Sequence, residues 1–370
     1  MKMGVSAVIF EGSNPRSQVE NIMADVRQAA LLDNLEKMKQ VKCIEQVYLH
    51  TNRPELVEPA KGLGAEVSLN SLTTEQFHFG NQLKAVIKKH DLNKVFCLNG
   101  AGCPLITVSE LEMICRKLTQ RDRFVYTNNT QSADMVAFTV TQSLQDIELP
   151  AMDNSLALTL RDQLGLEMEL MPHSLGLLFD IDTPTDLLVL GAGPFCGTRT
   201  RQVFKNLDLD YSTLEKAKAV LSAEYEDVLL IGRVGAPVIG RLNELLKLRL
   251  RVFSEERGMK SLGRIENGQV ISLLGLLLEH SGLNNFFNYL PELARCAFID
   301  SRVLMYHYKL ELSDSDRFLS DLGCWRQVEN PWLRDFTRLA VECAIPVVLG
   351  GHSLVSGSMW ALCDELAPVC

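Results

Sequence analysis

The sequence predicts an α/β protein of two domains, each with a mostly parallel β-sheet and helices on both faces. Short apolar runs typical of strands alternate along the chain with segments whose apolar residues recur at helical spacing. The chain has 370 residues, enough for two domains that each bury a core of their own. Alternation of strands and helices requires right-handed crossovers, and such crossovers produce parallel sheets.

The first half of the chain supplies a complete series of strands and helices. Strands are predicted at residues 5–10, 45–50, 66–69, 94–98, 124–127, 135–140 and 177–180. Helices are predicted at residues 19–38, 54–63, 80–90, 109–118, 155–164 and 185–190. A glycine-rich break follows this series, and we therefore assign residues 1–195 to the first domain.

The second half repeats the same alternation after a connector. Residues 196–226 form the predicted connector, because the helix expected at residues 212–225 is polar and lacks a strong apolar face. In the second domain, residues 227–370, strands are predicted at residues 228–231, 250–254, 297–304 and 345–349. Helices are predicted at residues 237–247, 271–280 and 331–343.

Composition excludes several classes of partner. The formal net charge of −9 argues against general binding of nucleic acid or anionic membranes, since phosphate groups attract basic surfaces. No apolar run is long enough to span a bilayer, and the amino terminus is typical of a first strand rather than a signal peptide. The ten cysteines are scattered without a CxxC pair. Cys97, Cys115 and Cys343 lie in apolar surroundings, which predicts free buried thiols in a cytoplasmic protein.

Two loops after predicted strands are candidates for nucleotide binding, because ligands of such sheets lie beyond the carboxyl ends of the strands. In the first loop, the amides of Gly12, Ser13 and Asn14 can point at an anion and Arg16 offers a forked donor. The alternative is a turn before a helix, with Arg16 in solvent. The second loop contains two further candidates. Gly100 and Gly102 indicate a tight loop close to a ligand or to another backbone segment.

The segment GLLFDIDTPTDL, residues 176–187, offers a pair of carboxylates. Side chains two residues apart on a strand point the same way, so Asp180 and Asp182 could hold Mg²⁺ together with substrate phosphate. Alternatively, Asp182 caps the helix that begins at Thr183-Pro184 and Asp180 faces water. The residues leave both interpretations open.

The order of these motifs resembles one enzyme family. From about residue 4 to residue 190 the chain reads as a strand, a Gly/Arg loop and a long helix, then LHTNRPELVEPAKGLGAEV, FGNQLKAVIKK, VFCLNGAGCPLITVSEL, a Ser-led helix and GLLFDIDTPTDL. This order is similar to the nucleotidyltransferases of the 2-phospholactate guanylyltransferase and molybdenum-cofactor guanylyltransferase group, which have the nucleotide-diphospho-sugar transferase (GT-A-like) fold. The most specific part of the resemblance is the segment Asp180–Pro184 with Asp186 and Leu187.

The resemblance implies transfer of an NMP from an NTP, GTP among the candidates, to a phosphorylated small molecule with Mg²⁺. It implies phosphate binding by the first loop, metal binding by Asp180 and Asp182, and catalytic roles for Arg16 and Asp182. The chain departs from the family pattern at Gly102, where the family has a metal-binding aspartate, and Asp134 is a candidate replacement. The competing hypothesis is a catalytically silent domain that binds a nucleotide or acts as a scaffold. The oligomeric state stays open, a homo-oligomer included.

The second domain resembles no family, but polar residues follow its strands. Their shared position at the carboxyl ends of parallel strands predicts one polar crevice for an anionic ligand. The alternative is a set of turns and ordinary ion pairs. The candidates are Arg233, Glu255, Arg257, Asp300, Arg302, His352 and Ser353.

Overall fold

A computed structural model describes residues 4–70, 77–100, 102–130 and 132–367. These residues form two compact units, each assembled from separate stretches of chain. The first unit takes the described residues up to 14, residues 24–178 and residues 197–202. The second unit takes residues 15–23 and 179–196 and the described residues from 203 onward. The domain limits expected at residues 195 and 226 stay predictions.

The first unit is built on a seven-stranded sheet among its described residues. The strands are β1 (Val5–Glu11), β2 (Ile44–Thr51), β3 (Glu66–Leu69), β4 (Lys94–Asn99), β5 (Phe124–Thr127), β6 (Met135–Thr139) and β7 (Glu167–Leu170). Their order is β3-β2-β1-β4-β6-β5-β7, and every neighbouring pair is parallel except the two pairs that involve β6. The carboxyl ends of β1, β2 and β4 therefore lie along one edge.

The second unit contains a smaller sheet whose four described strands are all parallel. The strands are β8 (Asp227–Gly232), β9 (Arg249–Ser254), β10 (Cys296–Asp300) and β11 (Val347–Gly350), in the order β11-β10-β8-β9. The direction of winding reverses between β8 and β10. Open α/β sheets bind ligands beyond the carboxyl ends of their strands at such a switch point.

Helices surround the two sheets. They are α1 (Gln18–Met38), α2 (Val57–Gly62), α3 (Phe79–His90), α4 (Val108–Thr119), α5 (Leu156–Leu164), α6 (Leu175–Leu178), α7 (Pro184–Ala192), α8 (Thr198–Phe204), α9 (Ser212–Leu221), α10 (Ala236–Leu245), α11 (Leu273–Leu293), α12 (Arg302–His307), α13 (Asp314–Asp321), α14 (Pro331–Glu342) and α15 (Gly357–Leu366). None of the helices in the described ranges is long and apolar enough to cross a membrane.

Each unit has its own apolar core. In the first unit, Leu83 of α3 and Leu160 of α5 are fully buried against Val95 and Phe138 of the sheet. In the second, Leu290, Leu333 and Phe336 bury against Ala297 and Ile299 of β10. The predicted α/β fold class, with mostly parallel sheets and helices, is confirmed.

One predicted strand is wrong, and another is shorter than expected. Residues 177–180 do not form a strand, because the apolar run Leu175–Leu178 forms one helical turn and the chain beyond it is irregular. The last strand of the first sheet is β7, whose alternating Glu and apolar residues suit an exposed edge and give only a weak apolar signal. The strand expected at residues 297–304 ends at Asp300, and α12 begins at Arg302.

Two further expectations concern α9 and the cysteines. The prediction that α9 lacks an apolar face is wrong, because Leu214, Ala217 and Leu221 recur at helical spacing and are buried. The cysteines in the described part of the chain are free thiols, as expected. Cys97 and Cys115 are buried, and burial raises the pKa of both thiols. Cys343 is only half-buried.

Candidate functional site

The first unit has a cleft of about 290 Å³ at the carboxyl edge of its sheet. Its walls come from the ends of β1, β2 and β4, from Asn70 after β3, from Phe77 and Phe79 at the start of α3, and from residues 151–153 after β6. Ligands of open α/β sheets bind at this edge. The cleft is thus the main candidate site of the first unit.

Three phenylalanines form one wall of this cleft. The ring of Phe10 lies 5.7 Å from that of Phe77 and 5.4 Å from that of Phe79, both edge to face. His50 completes the wall, with its ring 5.2 Å from Phe10. Burial lowers the pKa of His50, and the charges of Lys89 and His90 lower it further. The imidazole is therefore neutral at pH 7, so the aromatic wall adds no positive charge to the cleft.

An ion pair lies at the end of β1. Glu11 has a side chain only 2% exposed, and its two carboxylate oxygens lie 3.3 and 3.1 Å from Nε and Nη2 of Arg27 on α1. Gly100 is required beside this pair. Its φ is +46°, and a Cβ there would lie 1.9 Å from Oε2 of Glu11. A residue without a Cβ at position 100 therefore leaves the space that the buried carboxylate of Glu11 occupies.

The predicted phosphate loop is tied to the segment that follows β2. The amide of Ser13 donates to Oδ1 of Asn52 at 3.1 Å, and Nδ2 of Asn52 donates to Oδ1 of Asn14 at 3.1 Å. A guanidinium N–H of Arg53 donates to the Ser13 hydroxyl. A Cβ on Gly12 would come within 3.2 Å of Asn52. One amide donor of this loop, that of Ser13, is therefore already engaged by a side chain of the same unit.

Arg16 is not grouped with this loop. The structure places Gly12, Ser13 and Asn14 in the first unit and Arg16 in the second. The amide of Arg16 donates to the carboxylate of Glu20 at 2.9 Å, and Arg16 is exposed, as the alternative interpretation of this loop expected. This hydrogen bond joins the segment just before α1 to the first turn of that helix.

The second glycine loop is held by α1. The amide of Gly102 donates to the carbonyl of Asn99, which closes a tight turn. The ammonium of Lys37 donates to the carbonyl of Pro104 at 2.8 Å, and burial lowers the pKa of Lys37. Asp134 lies next to this loop, because its carbonyl accepts the amide of Asn99. The close approach that sequence predicted for these glycines is here an approach to the protein's own chain.

The segment with the two predicted metal ligands belongs to the second unit from residue 179 onward. The carboxylate of Asp180 accepts the amide of Ile181 at 2.7 Å, and its carbonyl accepts the hydroxyl of Ser353 at 3.0 Å. Asp182 is exposed. Because the segment is irregular rather than a strand, the strand geometry from which the alignment of the two carboxylates was predicted is not present.

The residue that caps α7 is Thr183, and its partner is Asp186. The carboxylate of Asp186 accepts the amide of Thr183 at 2.7 Å and the amide of Asp182 at 3.1 Å. Its other oxygen accepts the hydroxyl of Ser358 at 2.6 Å. Burial raises the pKa of Asp186 to about 7 despite these donors, and the nearby charge of Asp182 adds to the shift. The cap interpretation of Asp182 is wrong by one residue, since Asp182 precedes the cap.

In the second unit, the predicted site residues meet at the switch point. Nε and Nη2 of Arg233 lie 2.6 and 3.0 Å from the two oxygens of Asp300, whose side chain is fully buried. Arg233 holds the pKa of Asp300 below its usual range, although burial opposes this shift. Gly232, with φ of +115°, permits the approach, because a Cβ there would lie 2.4 Å from Cβ of Asp300.

Most of the other candidates in this unit also have partners. Arg302 is paired with Asp321, Nη1 to Oδ1 at 3.0 Å, and both are buried. Glu255 accepts the hydroxyl of Ser272, which is the cap of α11, and the amide of Leu273 in the first turn of that helix. Among the described residues Arg257 has neither an ion pair nor a hydrogen bond, and it is exposed. These pairings fit the structural interpretation better than an anion site.

His352 lies in the same cluster. Burial and the charge of Arg233 lower its pKa to about 4, while Asp300 and Asp182 oppose the shift and Arg257 adds to it. The imidazole is neutral at pH 7. The structure thus brings together His352, Arg233, Asp300, Arg257 and Asp182.

Mg²⁺, which the resemblance implies, needs oxygen ligands around one point. In the described part of the chain, no group of three or more His, Cys, Asp or Glu side chains could hold a metal ion. Asp180 binds a backbone amide, and Asp182 does not share a strand with it. Because Mg²⁺ uses one or two carboxylates and completes its shell with waters and phosphate, the metal and its ligands Asp180 and Asp182 stay an expectation of the resemblance.

Several residues of the two sites were not predicted. The aromatic wall and Asn99 carry no motif, although Asn99 does end an apolar strand. Asp186 stands in the quoted segment, and its spacing of three from Thr183 is the signal of a capping box. Arg27 and Asp321 lie far along the chain from Glu11 and Arg302, so no local pattern could reveal these pairs.

Comparison with known proteins gives structural neighbours only. No protein-family model matches the chain, and no curated protein matches it in sequence. A cytidylyltransferase from Leptospira borgpetersenii is 18% identical, with 56% of this chain and 93% of that chain covered and a TM-score of 0.40. A CMP:2-keto-3-deoxy-manno-octonic acid synthetase complexed with CTP is 14% identical, with 55% and 100% covered and a TM-score of 0.37. A nucleotidyl transferase from Methanothermobacter thermautotroptrophicus is 13% identical, with 55% and 99% covered and a TM-score of 0.38.

Proposed function

We propose that the first unit binds a nucleotide or its nucleoside portion in the cleft at the carboxyl ends of β1, β2 and β4. The observation that carries this proposal is the aromatic wall of Phe10, Phe77 and Phe79 at that edge. Aromatic faces stack on bases, and each stacked base contributes about 1–3 kcal/mol. The motif order in residues 4–190 supports the same ligand class through the resemblance to nucleotidyltransferases.

Polar groups in the lining of the cleft support the proposal. Asn99 lies at the end of the central strand β4, and Asn70 follows β3. A carboxamide offers two donors and one acceptor oxygen, which matches the hydrogen-bonding edge of a base. The carboxylate of Asp153, also in the lining, is of a kind that accepts hydrogen bonds from ribose hydroxyls.

Of the two functions that the sequence left open, binding without transfer is favoured. Transfer of an NMP to a phosphorylated acceptor requires cations or amides at the phosphates. The amide of Ser13 already donates to Asn52, and the carboxylate of Asp180 already accepts the backbone amide of Ile181. Gly102 stands where the resemblance implies a metal-binding aspartate. We therefore propose a nucleotide-binding role for this divergent chain.

Isothermal titration of the full chain with nucleosides and nucleotides tests this proposal. We expect binding that weakens about 5- to 150-fold in Phe77→Ala, which corresponds to the loss of about 1–3 kcal/mol of stacking. Tyr289→Ala is the matched control, because Tyr289 is an exposed aromatic residue of the second unit. Absence of binding, or equal loss in both variants, would contradict the proposal. Release of pyrophosphate from an NTP in the presence of Mg²⁺ would instead support the transfer reaction.

A further inference from the structure

Resting on the proposed function, we infer that Arg53 binds the phosphate group of a phosphorylated nucleoside held in the cleft, and that this phosphate displaces the carboxylate of Glu55 from Arg53. The ligand class is thus narrower than nucleosides in general. Two structural features support this exchange, the position of Arg53 beside the cleft and the exposure of its present partner.

Arg53 is joined to one end of the cleft. Gly12 and Asn52 line that end, and Ser13 and Arg53 are the residues that follow them in the chain. Nη1 of Arg53 donates to the hydroxyl of Ser13 at 3.1 Å, which ties the guanidinium to the loop after β1. A hydroxyl that accepts one hydrogen bond can still donate its own hydrogen, so Ser13 and Arg53 can both donate to a phosphate group.

The present partner of the Arg53 guanidinium is a single carboxylate oxygen. Nε of Arg53 donates to Oε1 of Glu55 at 2.5 Å, and Nη2 forms an ion pair with the same oxygen. Nε2 of Gln28 also donates to this oxygen, at 3.2 Å. A phosphate group offers three acceptor oxygens, and two of them can receive the two prongs of a guanidinium separately. The phosphate is therefore the better match for Arg53.

Exposure determines which ion pair near the cleft can be exchanged. The side chain of Glu55 is 48% exposed, whereas that of Arg53 is 15% exposed. A released Glu55 carboxylate would be solvated by water, and partly exposed pairs of this kind contribute little to stability. The pair of Glu11 with Arg27 differs, because Glu11 is buried and the loss of Arg27 would uncover a buried charge. Arg53 is thus the cation that a phosphate can take over without uncovering such a charge.

Titration calorimetry of the full chain tests the inference at about pH 7.5, where a phosphate monoester is largely doubly charged. Each of adenosine, guanosine, cytidine and uridine is compared with its own 5′-monophosphate, in EDTA so that no metal ion contributes. We expect at least one monophosphate to bind more than about fivefold tighter than its nucleoside. A smaller difference in every pair would overturn the inference and leave the proposed function standing. If no nucleoside and no monophosphate binds, the proposed function fails as well.

Two variants separate phosphate binding from a merely structural role of the ion pair. Arg53→Ala should abolish the preference for the monophosphate and leave the affinity for the nucleoside unchanged. Glu55→Gln removes the competing charge, so it should raise the affinity for the monophosphate about threefold or more. If Arg53→Ala weakens both ligands equally, or if Glu55→Gln does not favour the monophosphate, the inference is wrong.

Arg121→Ala is the matched control. Nη1 of Arg121 pairs with Oε1 of Glu167 at 2.8 Å, and both side chains are partly exposed, as in the pair of Arg53 with Glu55. Glu167 belongs to β7, at the opposite edge of the sheet from β2 and β3. The control should change neither affinity. A control that loses the preference for the monophosphate as Arg53→Ala does would also contradict the inference.

Discussion

Arg233 and Asp300 form a two-pronged ion pair that joins the carboxyl ends of β8 and β10. The shorter of the two contacts, Nε to Oδ2, is 2.6 Å, and the backbone amide of Arg233 also donates to Oδ2 at 3.3 Å. The guanidinium of Arg233, which the sequence suggested as a contact for an anionic ligand, thus donates to Asp300 instead. The pair has a structural role, and its energetic contribution can be measured.

Arg233→Ala should destabilise the protein by about 3–5 kcal/mol, because it leaves the carboxylate of Asp300 buried without its charge partner. Chemical denaturation followed by circular dichroism measures this change. Arg257→Ala is the matched control, since Arg257 is exposed and has no ion pair among the described residues. We expect the control to shift stability by no more than about 0.5 kcal/mol. Equal effects in the two variants would show that the pair contributes nothing.

Gly232→Ala should also destabilise the second unit. The added Cβ would lie 2.4 Å from Cβ of Asp300, and the backbone conformation, with φ of +115°, is one that side chains rarely adopt. We expect a loss of about 1–3 kcal/mol from this strain. Gly240→Ala is the control, because nothing lies within 4 Å of its Cβ position on α10. It should stabilise the helix by about 0.5–1 kcal/mol, and a stable Gly232→Ala protein would contradict the described approach.

The buried carboxyl group of Asp186 predicts one component of the pH dependence of folding. Its pKa rises from 3.8 to about 7 on folding, so the folded state binds the proton more tightly than the unfolded state. Its contribution to stability is therefore present below pH 4 and is lost as the pH rises to about 7. Between pH 8 and pH 5 the free energy of unfolding should gain about 2 kcal/mol from this group.

Asp186→Asn should remove this component, because the amide keeps the shape but does not titrate. Denaturation curves of both proteins at pH 5 and pH 8 give the difference. The contributions of the other titrating groups to the free energy of unfolding are common to both proteins and drop out of this difference. If the two proteins show the same pH dependence, the carboxyl group of Asp186 is not protonated on folding.

The lowered pKa of His352 predicts a contribution of opposite sign to the pH dependence of stability. Its pKa falls from 6.5 to about 4 on folding, so the unfolded state binds the proton more tightly. The contribution of the neutral imidazole is present above pH 6.5 and is lost as the pH falls towards 4. The loss between pH 7 and pH 5 should reach about 2 kcal/mol. His352→Gln should abolish it, and nuclear magnetic resonance titration of the ring should give a pKa well below 6.5. A ring that titrates near 6.5 would refute this prediction.

The sequence was informative wherever a local pattern dictated the structure. The alternation of apolar runs located most strands and helices, β4 and α4 among them. It misled at residues 177–180, because four apolar residues suit one helical turn as well as a strand. Arg233 and Asp300 were placed at strand ends correctly, but their pairing depends on the strand order β11-β10-β8-β9, which no local pattern contains. For the same reason, the binding of the Ser13 amide by Asn52 could not be foreseen.

The hydrogen bond between Ser358 and Asp186 also bears on how the chain folds as it is synthesised. The two residues are 172 positions apart, and at about 5–20 residues per second Ser358 emerges about 9–34 s after Asp186. During that interval the carboxyl group of Asp186 on α7 lacks its partner Ser358. The first unit, in contrast, has all of its described residues once position 202 has been translated. The second unit therefore completes its contacts later in synthesis than the first unit does.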